Sequence, residues 1–562
     1  VPEVKRASYF YEYWFESKRP ERGDALTAWA NSFSFGSLAL PISIKFNSTE
    51  ERNEMPKFSQ HPKPAVHHPI QTSGEDVINW EGASAYGLDP KSDLFLLACT
   101  NMVGEETFYE SASDRDNRFE KLIHRNVHED PEWVARFAPF LRGPMGMRSA
   151  SAVLACEYIK AGGPEGRKVV DSVCQRADEP AEIIGYWHSR HGRKLPQPIK
   201  RGVADAAKRL YNERNVLRYD GERRGIRFAD VIELTHPKPR EDWQARLFKY
   251  LLDNRHHDDA NIEGLGLIAG DRLWLDMPED MRRVNLRENG IPDGWSWERL
   301  AGWLPGGMDA EGWEAVIPNM GVMALIRNLR NFDQKNISDA AIDKVIAKIT
   351  DKTEVEKSRI WPHQVWAAYR EAPSDNWKRA LGTTLTLATQ NTPELPGSTL
   401  ILIDMSGSMQ QGISNRGTVQ RIEIAAVMAT AMAKKNNADI VVFGQSHARF
   451  DLPSGASTLN WVQEIVRNIG CVGHSTYLHS AIRATWHPHY SRVVVFTDDQ
   501  AQDARQVPLN DVSPIYTFDL AGYGRASLTA GERGRFRFGG FSDKLLTAIP
   551  VLESGNDGTW PF

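Results

Sequence analysis

From about residue 90 to residue 390, apolar positions recur at spacings of three and four, the period of one face of a helix. Two-residue alternation, the mark of a half-buried strand, is almost missing there. "EDPEWVARFAPFLRG" (129–143) shows the design: Asp130 can cap, Pro131 suits the first helical position and Glu132 favours the positive end of the helix dipole. Trp133, Val134, Phe137, Phe140 and Leu141 then fall on one side. "SDLFLLACTNMV", "MRSASAVLACEYIK", "DWQARLFKYLLD", "MGVMALIRNLRNF" and "PHQVWAAYREA" repeat it. Many short amphipathic helices without strands predict stacked helix pairs, an α-solenoid of HEAT type, with no exact repeat period.

The pattern changes at "NTPELPGST" (391–399), where two prolines and a glycine mark a boundary. Continuous apolar runs, "TLILIDMS", "ADIVVFGQS", "RVVVFTDD" and "SPIYTFDLAG", then alternate with helical stretches such as "RIEIAAVMATAMAKK" and "TLNWVQEIVRNI", and "SDKLLTAIPVLES" reads as a closing helix. That alternation predicts a parallel sheet covered on both faces, an α/β doubly wound domain. Three regions result: an irregular N-terminal arm at 1–75, a helical-repeat domain at 76–390 and the α/β domain at 391–562.

Composition changes this picture in two places. The first twenty residues carry charge throughout, without the apolar stretch of a signal peptide, and four widely spaced cysteines include no CxxC pair. Free thiols in a reducing, cytoplasmic compartment are expected, with no Cys-based zinc site and no membrane span. The net charge is −5, yet between Arg190 and Arg227 twelve Lys and Arg face four Asp and Glu. A basic stretch in an acidic chain is the footprint of a polyanion-binding surface. If 200–218 is helical, Lys200, Arg201, Lys208, Arg209, Arg214 and Arg218 recur near three, four or seven apart and could track a phosphate backbone. Arg142 and Arg148, between two early helices, are further candidates. No aromatic RNA-binding motif of the RNP type is present.

Candidate chemistry gathers at "LILIDMSGSM" (401–410), a strand that runs into Asp404, Ser406 and Ser408. Ligands of open parallel sheets sit beyond the strands' carboxyl ends, and alternate residues of an extended turn point the same way. "GCVGHSTYLHSAI" supplies Thr476 in a Gly-rich loop, with Ser475 as its neighbour, and "VVVFTDDQ" supplies Asp498 at another strand end. Hard oxygen donors without His or Cys suit Mg²⁺, or Mn²⁺ or Ca²⁺ in its place. Asp499 is expected to be an exposed cap, and His474 and His479 to be exposed or helix-face residues. The turn lacks the Gly-x-Ser-x-Gly of a nucleophile elbow.

The set resembles the metal-ion-dependent adhesion site of von Willebrand factor A domains. That resemblance implies direct ligation by Ser406, Ser408 and Thr476, aspartates acting through water, and one position open to an acidic ligand.

A helical solenoid joined to such a domain resembles the Ro 60 kDa family, a bacterial or phage-type member, whose helical part is the TROVE domain. "GLDPKSDLFLLACTNMVGEETFYE", "LPQPIKRGVADAAKRLYN", "FADVIELTHPKP", "WEAVIPNMGVMALIRNLRNF" and "RFRFGGFSDKLLTAIPVLE" carry the resemblance, over about residues 75–562. It implies a monomeric ring in which the A domain joins the two ends of the helical array. It also implies binding of Y-like small structured RNAs on the outer surface and of single-stranded ends of misfolded noncoding RNAs in the central hole. A 3′-to-5′ exoribonuclease is an implied partner. Where the family's basic middle carries a histidine, this chain has Phe228 after Arg227.

Two other readings stay open. One is a metal-dependent protein-interaction scaffold that needs no RNA. The other is a metal-dependent nuclease or phosphatase using Asp404 and Asp498, for which a lone cation without a general base or second metal is poor equipment.

Overall fold

The computed structural model describes residues 71–562, apart from 101–102, 108, 222–223, 257–259, 293–294, 391, 414–417, 452, 454, 505, 513, 530–533, 541–545, 547, 554–559 and 561. Most of the expected arm therefore lies outside the described residues. Its last few residues open a β-hairpin, β1 (Thr72–Ile78) and β2 (Ser84–Leu88), paired antiparallel.

Helices then follow one another from Pro90–Thr100 to Asp375–Thr389. The helix Pro131–Arg142 begins as its sequence requires: the Asp130 side chain accepts from the Trp133 amide at 3.0 Å, and Pro131 stands where no amide is needed. Its inner face, Trp133, Val134, Phe137 and Leu141, is buried. Two aromatic residues from far along the chain complete this core. Trp560 lies 5.0 Å from Trp133 and 5.1 Å from Phe95, ring centre to ring centre, and Phe562 lies 5.1 Å from Phe140 and 5.3 Å from Phe137.

The α/β part holds a six-stranded sheet. Its strands are β3 (Ser398–Asp404), β4 (Ala438–Phe443), β5 (His447–Arg449), β6 (Tyr490–Thr497), β7 (Ile515–Asp519) and β9 (Arg535–Gly539), in the order β5-β4-β3-β6-β7-β9. All neighbours are parallel except the β4–β5 hairpin. The short β8 (Arg525–Ala526) pairs instead with β2, which ties the N-terminal hairpin to this part of the chain. The edge strand β9 was not expected from its sequence. Arg537 interrupts its apolar pattern, but the arginine is buried and held by Asp519 at 2.7 Å and Asp499 at 3.1 Å.

Both ends of the helical array are fastened to the α/β part. Near the beginning, Arg115 and Arg118 each donate at 2.9 Å to the carbonyls of Ala521 and Gly522. Gly539 and Gly540 let β9 come close against the helix Pro90–Thr100: a Cβ on Gly539 would meet the Leu96 carbonyl at 2.5 Å. At the other end, Trp366 and Arg370 donate to the two oxygens of Glu423, both at 2.9 Å. Among the described residues no helix is long and apolar enough to cross a membrane. The four cysteines are free, three of them buried and Cys471 exposed.

Candidate metal centre and nucleic-acid interface

The chain leaves β3, builds β4 on one side, and returns to place β6 on the other side of β3. Strand order therefore reverses between β3 and β6, and the carboxyl ends of these two strands flank the crevice where open sheets bind ligands. Asp404 ends β3 and Asp498 follows β6. Both are fully buried, Ser406 and Thr476 nearly so.

Hydrogen bonds preset the turn. Asp404 Oδ1 accepts from the Ser406 amide at 2.8 Å, and Oδ2 accepts from the Thr497 hydroxyl at 2.6 Å. The Ser406 and Ser408 hydroxyls lie 3.2 Å apart, and Arg421 donates both to the Ser408 carbonyl at 3.5 Å and to Asp498 at 3.2 Å. The loop carrying Thr476 is drawn in by the Gly407 amide, which donates to the His474 carbonyl at 3.4 Å, and by the Tyr477 amide, which donates to the Gly444 carbonyl at 2.9 Å. Asp404, Ser406 and Ser408 are thus joined directly, Asp498 is linked to them through Arg421, and the Thr476 loop packs against their turn.

The electrostatics favour a cation. Burial, with Asp498 adding repulsion, raises Asp404 to about 7, and burial raises Asp498 as well. One Asp498 oxygen, Oδ1, is buried with no hydrogen-bond partner among the described residues. An orphaned carboxylate oxygen beside two hydroxyls and a second carboxylate fits a hard divalent ion. Its other oxygen is taken by Arg421, a buried guanidinium 3.2 Å away that also lies over the Tyr523 ring at 5.9 Å.

Sequence reasoning missed Arg421, although a signal existed. It opens a helix, Arg421–Lys435, whose surface is apolar nearly all round, so an arginine there had to be buried. It also missed the N-terminal hairpin, whose tip lies against the loop after Asp498. Asn79 donates to the Ala501 carbonyl at 2.8 Å, the Trp80 amide to Gln500 at 3.1 Å, and Gln502 to Glu81 at 3.1 Å.

Asp499 corrects an expectation. Instead of an exposed cap it is buried, in left-handed backbone at φ 60°, paired with Arg537 and accepting from the Ser527 amide at 3.2 Å. Burial raises it to about 7. His474 is exposed. His479 is buried on its helix, its ring nitrogens 3.2 and 3.0 Å from the carbonyls of Val507 and Ser527.

The basic stretch is not one helix. It forms Gln197–Leu210 and Glu213–Tyr219, broken at Tyr211 and Asn212, where the Asn212 side chain accepts from the Asn215 amide at 2.9 Å and starts the second helix. Arg201, Arg214 and Arg218 are exposed, and Lys200 is half-buried. Lys208 pairs with Asp205 at 3.0 Å, and Arg209 with Asp171 at 2.7 Å and the Cys174 carbonyl at 2.8 Å, which docks this helix on Gly166–Val173.

Arg142 and Arg148 are drawn into a cluster with Asp178, Glu179 and Glu182. Arg142 is buried 2.7 Å from Glu179, and Arg148 reaches Glu182 at 2.8 Å and Asp178 at 3.2 Å. Their charge is already offset inside the protein, so neither presents an open cationic surface. Phe228 is fully buried and stacked on Tyr211, ring centres 4.1 Å apart. Phe228 therefore serves core packing and offers no polar contact at the surface.

The TROVE domain family model matches residues 228–438, from the middle of the helical array into the α/β part. Among solved structures, the crystal structure of Deinococcus radiodurans Ro (RSR) protein is similar. Its TM-score is 0.59 at 18% sequence identity, and the match covers 83% of this chain and all of that one. The agreement in fold takes in both the helical solenoid and the A-type α/β domain. No curated protein sequence matches the chain.

Proposed function

We propose that this chain, a member of the Ro 60 kDa family with a TROVE domain, is a non-catalytic RNA-binding protein of noncoding-RNA quality control. It takes Y-like small structured RNAs on the surface bearing Arg201, Arg214 and Arg218, and single-stranded ends of misfolded RNAs within a closed helical ring. The observation that carries this reading is a run of exposed arginines in the one strongly basic stretch of an acidic chain, on a Ro-like fold. Phosphate neutralisation supplies most of the affinity of such surfaces. Fastening of both ends of the helical array to the α/β part supports closure into a monomeric ring. A 3′-to-5′ exoribonuclease is the partner class that such a protein would serve, and the cytoplasm its place.

Asp404, Ser406, Ser408, Thr476 and Asp498 would hold the divalent cation, Mg²⁺ with Mn²⁺ or Ca²⁺ as substitutes. A bound ion of this kind supplies a coordination position for a partner's carboxylate. The residues themselves prearrange the oxygens and keep the rim between β3 and β6 closed. The preset turn also favours a second reading, a protein-docking scaffold that needs no RNA.

The two separate on purification and gel shift. The RNA reading expects a raised 260/280 nm absorbance ratio and salt-sensitive binding of a structured RNA with a single-stranded 3′ tail, the RNA staying intact in Mn²⁺. Nucleic-acid-free protein that ignores such RNA at low salt would leave the scaffold, and RNA cut in Mn²⁺ would point to a nuclease.

A further inference from the structure

We propose that Glu120, His124 and Glu157 form a second metal site, in the helical array, that takes a divalent transition-metal ion of the zinc class. Glu120 and His124 are four apart on the helix Ala112–Glu129 and project from successive turns of one face. Glu157 comes from the neighbouring helix Arg148–Lys160. One ligand atom from each residue lies within 4.8 Å of the other two.

Glu157 is the centre of the cluster. It is fully buried, with Oε2 2.8 Å from His124 Nε2, and Oε1 2.7 Å from His191 Nε2 and 2.8 Å from the Tyr186 hydroxyl. His191 and Tyr186 hold Glu157 in orientation, as outer hydrogen-bond partners do for metal-binding carboxylates. Arg190 donates to Glu120 Oε2 at 2.6 Å, which leaves the other Glu120 oxygen for an ion.

The donor set decides the ion. Imidazole with carboxylates and no sulfur suits Zn²⁺, Mn²⁺ or Fe²⁺, and three protein ligands leave at least one position for water. The Glu120 and His124 side chains are 27% and 33% exposed, so an ion has a way in. The oxygen-only site at the sheet rim, with no histidine, differs in chemistry as well as in place.

The competing account is a network of hydrogen bonds that ties three helices together and binds no metal. The full chain, stripped with chelator, separates the two. The background is Ser406→Ala/Ser408→Ala, so that the rim site does not contribute. Zn²⁺ titrated by calorimetry is expected to bind at one ion per chain, and Co²⁺ to give the visible absorption bands of a histidine-ligated ion. His124→Gln and, separately, Glu120→Gln should abolish both signals, and His191→Gln should weaken Zn²⁺ about 10- to 100-fold. Circular dichroism identifies any variant that has lost its fold, and two partly exposed positions give two independent chances of a folded one. Absence of Zn²⁺ binding in the background protein, or binding unchanged in a folded His124→Gln or Glu120→Gln chain, overturns the proposal.

Discussion

Asp404 and Asp498 should make the stability of the α/β part fall with rising pH when no cation is bound, and much less when one is. In the folded, cation-free chain Asp404 is raised to about 7, by burial first and by Asp498 second, against an ordinary value of 3.8. Because the folded value is the higher one, the folded state holds its proton longer than the unfolded chain does. The stability linked to this group is therefore complete below 3.8 and is lost as pH rises through 7. A gap of about three units, at about 1.36 kcal/mol each, makes the whole loss about 4 kcal/mol, of which about 2 kcal/mol falls between about pH 5.5 and about pH 7.

A divalent cation flattens the trend, since it needs the ionised carboxylate and must displace the proton. Its apparent affinity should fall about tenfold per unit below pH 7 and level off above. Thermal unfolding followed by fluorescence, from about pH 5.5 to about pH 8.5, in Mg²⁺ or in chelator, reads this out directly. Between about pH 5.5 and about pH 7 the chelated chain should lose Tm and the Mg²⁺ chain should not, so the two curves should diverge there and keep their separation at higher pH. At an Mg²⁺ concentration about 100 times its Kd the separation is about 2.7 kcal/mol, a shift of several degrees for a domain of this size. Curves that stay parallel between about pH 5.5 and about pH 7, or that ignore Mg²⁺ at every pH, would refute the reasoning.

Four more outcomes follow from contacts described above. Arg201→Ala/Arg214→Ala should reduce the slope of log affinity against log salt for RNA by about 1.4–1.8, two phosphate contacts at about 0.7–0.9 each, measured by gel shift across a salt series. Lys208→Ala/Arg209→Ala should change that slope less and lower Tm more, because those cations are engaged with Asp205 and Asp171. Phe228→Ala, which removes a fully buried ring stacked on Tyr211, should cost about 3–5 kcal/mol in denaturant unfolding. Arg421→Met strands Asp498 without its buried ionic partner, so it should destabilise by about 3–5 kcal/mol in chelator and by clearly less in Mg²⁺.

The placement of the candidate ligands at the sheet rim was legible because its signals are local. Asp404, Ser406 and Ser408 share one turn, and Thr476 and Asp498 each sit in an unmistakable context, a Gly-rich loop and the end of an apolar strand. Helices such as Pro131–Arg142 were legible for the same reason, since cap, proline and apolar period all lie within fifteen residues. What could not be read depends on partners distant in sequence. The Arg201 and Arg209 side chains look alike in a string, but only Arg209 meets an aspartate from another helix. Arg142 looks available until Glu179 is seen to hold it. β9 was hidden because its buried Arg537 is neutralised by Asp499 and Asp519 from two other segments, and Asp499 was misjudged for the same cause. Glu157, His124 and His191 gave no pattern at all, since three helices bring them together.

The aromatic packing of Trp560 and Phe562 on Phe95, Trp133, Phe137 and Phe140 bears on biosynthesis. About 420 residues separate Phe137 from Trp560, which at about 5–20 residues per second is on the order of 20–80 s of translation. Throughout that interval the earliest helices stand outside the ribosome with a greasy, incompletely covered seam. A nascent chain in that condition is a client for chaperones, and one cut short ahead of Trp560 keeps the seam open and becomes a target for degradation.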